Sequence, residues 1–354
     1  MSSKHRSNQR KPVKINLNKS LRVWTAVCCL SGGLVASFAT LAQSQTPDTD
    51  IAVSSYPSDS PEAWLAKMAN AFTSLNYQMS FVLLKPGMNA QPYLWRHGIA
   101  PDGTSMEQLN LLNGPGREVL RVGNEVSYFE PNVPPYTLRS TIINGPLPMA
   151  FFRDPLQLSG SYEFMLVGRS RVSGRAAQQL RVVSRDKSRF GLNLWLDQET
   201  GLPLKMNRVD LQGQLLEQIQ VTALDVTAEA DDYFSRIELA KLPEVVTFPP
   251  SPRSSHQWQI DFMPTGMQLV KWDVHRLPIT GDVVEYVMLS DGIVDISIYL
   301  QPASASRVTE DVLLRHESDT FLSRRQGDAH VTVIGKLPAQ TANAIAASVK
   351  LVTP

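Results

Sequence analysis

Cysteine is almost missing from this 354-residue chain: it has two, Cys28 and Cys29, adjacent to each other near the start. No disulfide framework and no CxxC redox or metal motif can be assembled from the rest. Acidic residues are absent from residues 1–22, where Lys4, Arg6, Arg10, Lys11, Lys14, Lys19 and Arg22 lie. Charge of either sign is absent from Val23 to Ala42. A basic stretch, an apolar run and then a polar segment is the layout of an export signal, with Thr40-Leu41-Ala42 as a cleavage site. A retained membrane anchor is the competing reading, because about 20 apolar residues can span a bilayer. Gly32-Gly33 and the small residues after it favour cleavage, and both cysteines sit too early in the run to accept a lipid. Loss of residues 1–42 leaves 27 basic against 33 acidic side chains, a net charge of −6. A mildly acidic exported protein is a poor match for general nucleic-acid binding.

Motifs that carry chemistry are also lacking. Beyond the signal remain His97, His256, His275, His316 and His330. None is spaced i,i+4 from another, and there is no HExxH. His316-Glu317 is adjacent in sequence, which on a strand sends the two side chains to opposite faces. "GRSRVSG" fails the spacing of a GxSxG nucleophile elbow, and "GDAHVTVIGK" fails that of a P-loop. Nothing calls for a metal or a cofactor. A catalytic triad assembled by the fold stays open only in principle, since sequence order does not define one.

What is present is one helix followed by a long β region. Ser60-Pro61-Glu62 supplies a capping hydroxyl, a proline for the first helical position and an early acid. Leu65, Met68, Phe72 and Leu75 then recur at helical spacing. Strand-like runs follow at Tyr77–Leu84, Tyr93–Gly98 and Glu107–Leu112. After the proline-studded stretch 132–155 come Gln178–Ser184, Phe190–Leu196, Leu202–Asp210 and Gln214–Val226, joined by turn residues. One helix and about eight or more successive antiparallel strands predict a strongly curved sheet or a partly closed barrel. "LPEVVTFPPSPRSS" (242–255) interrupts this with prolines, which leave it extended and poorly able to join either sheet. Beyond it, "VVEYVMLSDGIVDISIYL" is a hairpin, "HVTVIG" a strand, and "LPAQTANAIAASVKL" a helix. The predicted layout is a flexible tail at 43–59, a large domain at 60–241, a linker at 242–255 and a small α+β domain at 256–354.

"GREVLRVGNEVSYFEP" (116–131) raises the functional question. It reads as two strands turned at Gly123-Asn124. Val119, Arg121, Val126 and Tyr128 share one face; Leu120, Val122, Glu125, Ser127 and Phe129 share the other. A half-buried sheet should have one greasy face, and here both are partly greasy. Met79, Phe81, Trp95, Trp195 and Met206 add bulky apolar side chains elsewhere in the same domain. Either these residues are ordinary core, or one face packs on helix 60–75 while the other lines a groove for an apolar ligand. On the second reading the cavity candidates are Met79, Phe81, Trp95, Leu120, Val122, Phe129, Trp195 and Met206.

The chain resembles the RseB/MucB family of periplasmic regulators of the envelope-stress sigma factor. The likeness is carried by "SLNYQMSF" (74–81), "GPGREVLRVGNEVSYFEP" (114–131) and "LVGRSRVSGRAAQQLRVVSRDKSRFGLNLWLDQETGLPLKMNRVD" (166–210). In the second domain it is carried by "LSDGIVDISIYL" (289–300) and "VIGKLPAQTANAIAASVK" (333–350). The resemblance implies an α+β protein: an unclosed, curved antiparallel barrel similar to lipoprotein carriers of the LolA/LolB type, plus a smaller C-terminal domain. It implies a non-enzymatic regulator with no cofactor, which binds the periplasmic segment of a membrane-spanning RseA/MucA-like anti-sigma factor. Bound there, the regulator shields that segment from the site-1 protease until a lipid, lipopolysaccharide or lipoprotein ligand releases it. A periplasmic lipid or lipoprotein carrier is the alternative, although a plain carrier has no need of residues 255–354. A homo-oligomer is left open.

Overall fold

The computed structural model describes residues 56–247, 256–276, 281–306 and 310–352. The expected export segment and most of the proline-rich linker lie outside these residues. All three sheets described below belong to one compact unit, residues 52–354.

Helix α1 spans Pro61–Ser74 and starts as its sequence predicts: the Ala63 amide donates to Ser60 Oγ at 3.1 Å, with proline in the first turn. Its buried stripe is Leu65, Met68, Ala71 and Phe72. Eleven strands follow in two runs. The first is β1 (Asn76–Leu84), β2 (Gln91–Ile99), β3 (Ser105–Leu111), β4 (Arg117–Val122), β5 (Glu125–Phe129) and β6 (Tyr136–Arg139). The second is β7 (Tyr162–Val172), β8 (Arg175–Ser184), β9 (Gly191–Asp197), β10 (Pro203–Val209) and β11 (Leu215–Thr227). They form a single curved antiparallel sheet in the order β6-β5-β4-β3-β2-β1-β11-β10-β9-β8-β7. The edge strands β6 and β7 do not meet, so the barrel is unclosed.

That order dictates the two long connections. The chain leaves β6 at one edge and must re-enter at β7 on the opposite edge, so residues 140–161 have to cross the whole sheet. The crossover carries a short helix, α2 (Met149–Arg153), and buries Ile143, Leu147, Met149, Phe151 and Phe152 in the same cluster as α1. The second connection starts from β11 in the middle of the sheet. It runs back through α3 (Asp232–Ser235) and reaches β6, where Val245 forms a parallel bridge with Thr137. The Val246 amide donates to Thr137 O at 2.8 Å, and Thr137 Oγ1 donates to Pro243 O at 2.7 Å. The start of the linker therefore does join the large sheet, contrary to the reading from its prolines. Val245 and Val246 still have amides to offer, and the proline on their N-terminal side supplies an acceptor.

The smaller sheet contains β13 (Gln268–Arg276), β14 (Val283–Ser290), β15 (Asp295–Pro302), β16 (Val312–His316), β17 (Asp319–Gln326) and β18 (Ala329–Gly335). Its order is β13-β14-β15-β18-β17-β16, and β12 (Trp258–Ile260) pairs separately with β19 (Val349–Leu351). Helix α4 (Ala339–Ala347) buries Thr341, Ala342, Ile345 and Ala346. The inner residues Val287, Leu289, Ile296, Ile298, Val331 and Val333 are each exposed by no more than 1%. The hairpin and helix predicted here are both present.

Candidate functional site

The phase of β1 sets the two faces of the large sheet. Tyr77, Met79, Phe81 and Leu83 are buried and alternate with more exposed residues. Cross-strand pairing extends their face to Trp95 and Tyr93 on β2, Leu109 on β3, Val119 on β4 and Tyr128 on β5. On the other side of β1 it continues through Val221 and Ile219 on β11 to Met206 on β10 and Leu194 on β9. This is the inner face, and α1 and the crossover fill it. Phe72 lies between Trp95, at 6.1 Å between ring centroids, and Phe152, at 5.2 Å. Phe151 is next to Phe152 at 5.8 Å, and both are fully buried. Gly145 lets the crossover reach the sheet, because a Cβ there would lie 2.7 Å from Leu109.

An ion cluster fixes the end of the crossover. Glu107 is 1% exposed and faces two guanidinium groups: Arg121 donates through Nε at 2.8 Å, and Arg153, the last residue of α2, donates through Nη2 at 2.7 Å. Arg121 Nη2 also donates to Ser105 Oγ at 2.8 Å. His97 Nε2 is 3.1 Å from that hydroxyl and His97 Nδ1 is 2.6 Å from Leu75 O. Burial lowers the pKa of His97, with Arg121 and Arg153 adding to the effect. A carbonyl can only accept, so the neutral ring carries its proton on Nδ1 and accepts from Ser105 at Nε2. Among the buried side-chain polar atoms of the cluster, Arg153 Nε is without a hydrogen-bond partner.

What stays open on the inner face is a cavity of about 330 Å³ beside the crossover. Leu83, Tyr93, Leu109, Leu111 and Val119 supply its apolar wall, while Lys85, Arg117, Glu217 and Lys336 supply charge. On the far side of residues 144–146 a second cavity of about 460 Å³ separates the crossover from residues 288–295 of the small domain. Asn144, Gly145, Pro146 and Lys336 border both.

The seam between the domains is polar. Arg189, wholly buried, donates to Asp291 Oδ2 at 2.8 Å and to Thr265 O at 2.7 Å; Tyr162 donates to the same Asp291 oxygen at 2.7 Å. Burial, then the charge of Asp291, raises the Tyr162 pKa far above the usual phenol range, so it stays a donor. Asp186 accepts from the Thr265 amide at 2.9 Å. Its pKa is well below the usual carboxylate range: partial burial alone would raise it, and hydrogen bonds from Ser184, Ser188 and Thr265 outweigh that. Lys336 reaches Glu217 at 2.9 Å, Lys85 pairs with Glu317 at 2.5 Å, and Arg315 is 3.9 Å from Asp210. Burial of Glu217 is likewise outweighed, here by Lys336 and Arg208, and its pKa is lowered.

Of the eight cavity candidates, the structure places Met79, Phe81, Trp95 and Met206 on the inner face, within the packed cluster. Leu120, Val122 and Phe129 lie on the opposite, outer face. There they form a satellite cluster with Met106 and Phe234, covered by residues 230–242. The groove expected on that face is thus occupied by the chain itself. Trp195 is also outward, one residue out of phase with Leu194, with the Lys205 ammonium 4.9 Å from its ring centroid. None of the eight borders the open cavity. Val119 does, and it stood on the hairpin face that the sequence reading assigned to the helix. Its alternation with Leu120 was visible; that α1 and the cavity share one face was not.

Among the described residues, no group of three or more His, Cys, Asp or Glu side chains is placed to hold a metal ion. Comparison with known proteins gives concordant results for both domains. The family models for the MucB/RseB N-terminal domain and the MucB/RseB C-terminal domain match residues 60–246 and 252–350. The sigma-E factor regulatory protein RseB of Salmonella typhimurium is 35% identical over 290 residues, covering 81% of this chain and 90% of that protein. The sigma factor AlgU regulatory protein MucB of Pseudomonas aeruginosa is 32% identical over 296 residues, with the same coverage of 81% and 90%. Among solved structures, the Pseudomonas aeruginosa MucA/MucB complex includes a chain that superimposes with a TM-score of 0.67 at 29% identity, covering 83% of this chain and 99% of that one.

Proposed function

The chain belongs to the MucB/RseB family, and from that premise we propose that it is a periplasmic, non-enzymatic regulator of an envelope-stress sigma factor. It binds the periplasmic segment of a membrane-spanning RseA/MucA-like anti-sigma factor and shields it from the site-1 protease. A lipid, lipopolysaccharide or lipoprotein signal, received on the inner face of the large sheet, releases it. The observation that carries this reading is the match to a MucB chain solved with MucA, which extends over both domains of this protein. The absence of catalytic motifs in the sequence is consistent with it. The proposed domain limits are 60–241 and 256–354, joined by 242–255.

The mechanism is competition between two bound states. If ligand on the inner face favours the form that releases the anti-sigma segment, the coupling is reciprocal, and the segment weakens ligand binding by the same factor. The carrier reading uses the same concavity. It is disfavoured because the family match continues through a second domain, residues 252–350, which a plain carrier does not need.

The test is size-exclusion chromatography of this protein with the periplasmic segment of the anti-sigma factor encoded in the same genome. Co-elution at micromolar concentration is expected. Separate elution, together with capture of lipoprotein from envelope extract, would move the assignment to the carrier.

A further inference from the structure

The residues that fill the concavity are held in a way that a permanent core segment does not require. Helix α2 has five residues, and Pro148 at its N-cap makes no side-chain capping bond. A helix that short is stable only through what it touches. On its inner side, Phe151 and Phe152 occupy the middle of the apolar wall, against Phe72. Its end is fixed by Arg153, which shares Glu107 with Arg121. On its outer side, Ala150 abuts the small domain at the β14–β15 turn: a Cβ added to Gly292 would be 3.1 Å from the Ala150 Cβ. Residues 144–146 form the partition between the two cavities.

We propose that the site for an apolar chain on the inner face is the volume now held by Phe151 and Phe152, so that residues 142–153 are the ligand's intramolecular competitor. This rests on the reading that the inner face takes an apolar ligand. Ligand entry requires the crossover to lift. Lifting breaks the Arg153–Glu107 contact, merges the two cavities and withdraws Ala150 from Gly292. The same movement that admits ligand therefore alters the seat of the small domain. Glu107 keeps Arg121 as its partner when Arg153 leaves, so the open form contains no unpaired buried carboxylate. The apparent affinity for ligand is then its intrinsic affinity reduced by the small fraction of molecules in the open form.

Arg153→Gln tests this, because it removes the anchor and leaves the Glu107–Arg121 pair intact. The readout is fluorescence titration of the full chain with N-phenyl-1-naphthylamine, in which residues 1–42 give every form the same background. Arg153→Gln is expected to bind the probe about tenfold more tightly, equivalent to about 1.4 kcal/mol. Phe152→Ala, which deletes the competing ring, should gain at least as much, and Phe129→Ala on the outer face should gain nothing. Hydrogen exchange at the Ile293 and Val294 amides, which donate to Asp291 Oδ1, should accelerate when the probe saturates the wild type. Wild-type affinity in Arg153→Gln overturns the proposal. A gain in Phe152→Ala alone also overturns it, since that is cavity filling without a latch. Should Arg153→Gln not fold, Arg153→Lys, with a weaker anchor, must show a smaller gain in the same direction. No anti-sigma segment is present in the assay, so its failure leaves the chromatographic test of partner binding unaffected.

Discussion

Residues 142–153 and residues 228–242 cover opposite faces of the same sheet, and they are held by different forces. The inner cover is aromatic: two phenylalanines inside the main cluster, one shared carboxylate at the end, and contact with a second domain outside. The outer cover is a strap with a small satellite cluster around Phe234. It is fastened by polar contacts: Tyr233 donates to Glu118, and Arg96 is 3.4 Å from Asp231. Burial, then Glu118, raises the Tyr233 pKa above the phenol range, which keeps it a donor. Greasy residues on both faces of a strand therefore need not indicate a groove. Two connections, each dictated by strand order, use up both faces, and only the one joined to another domain has a reason to move.

The largest effect is expected at the inner cover. Phe152→Ala should lower stability by about 3–5 kcal/mol, as for a fully packed aromatic residue, measured by urea unfolding. A loss near zero would mean that Phe152 already moves freely. On the outer face Gly98→Ala should cost about 1–3 kcal/mol by overpacking, because its Cβ would lie 2.8 Å from Ala230 and 2.9 Å from the Phe234 ring. Protection from hydrogen exchange should fall in residues 230–237 and remain in 149–153. Loss in both segments would show that the two covers are one cooperative unit.

Acid should loosen the seam between the domains. Asp186 and Glu217 hold protons less readily in the folded protein than the ordinary carboxylate does. Their contribution is complete above the unfolded pKa, about 4, and is lost as pH falls through the lower folded values. Below about pH 4 the interdomain seam should loosen, detected as faster exchange around Thr265 and Lys336. Asp186 is partly exposed, which makes the effect modest. The smallest change is Tyr233→Phe, which removes one hydrogen bond and should cost about 1 kcal/mol, with no change in probe binding.

Much of the fold was legible. The Ser60-Pro61-Glu62 cap, the Gly123-Asn124 hairpin with Gly123 at φ 59°, and the Ser290-Asp291-Gly292 turn all rest on local chemistry that the sequence states directly. Strand β7 was missed because Leu166 and Val167 are both exposed and a bulge breaks its alternation. Helices α2 and α3 are too short to establish a 3.6-residue period. The seam could not be read at all, since Arg189 meets Asp291 across 102 positions and Tyr162 meets it across 129. For the site, the alternation of the hairpin was legible; the cavity shares the inner face with α1, while the face where a groove was expected is covered by the strap. Phase depends on what covers each face, and the strap that covers the outer one begins a hundred residues later.

If this protein shields an anti-sigma segment, the segment must be cut more slowly in its presence. The direct measurement is the rate at which the site-1 protease cleaves the anti-sigma periplasmic domain, with and without a saturating amount of this protein. Cleavage is expected to slow by at least about tenfold, corresponding to about 1.4 kcal/mol of protection, with the rate restored by a competing lipid signal. An unchanged cleavage rate, in a mixture where the complex is demonstrably formed, would contradict it.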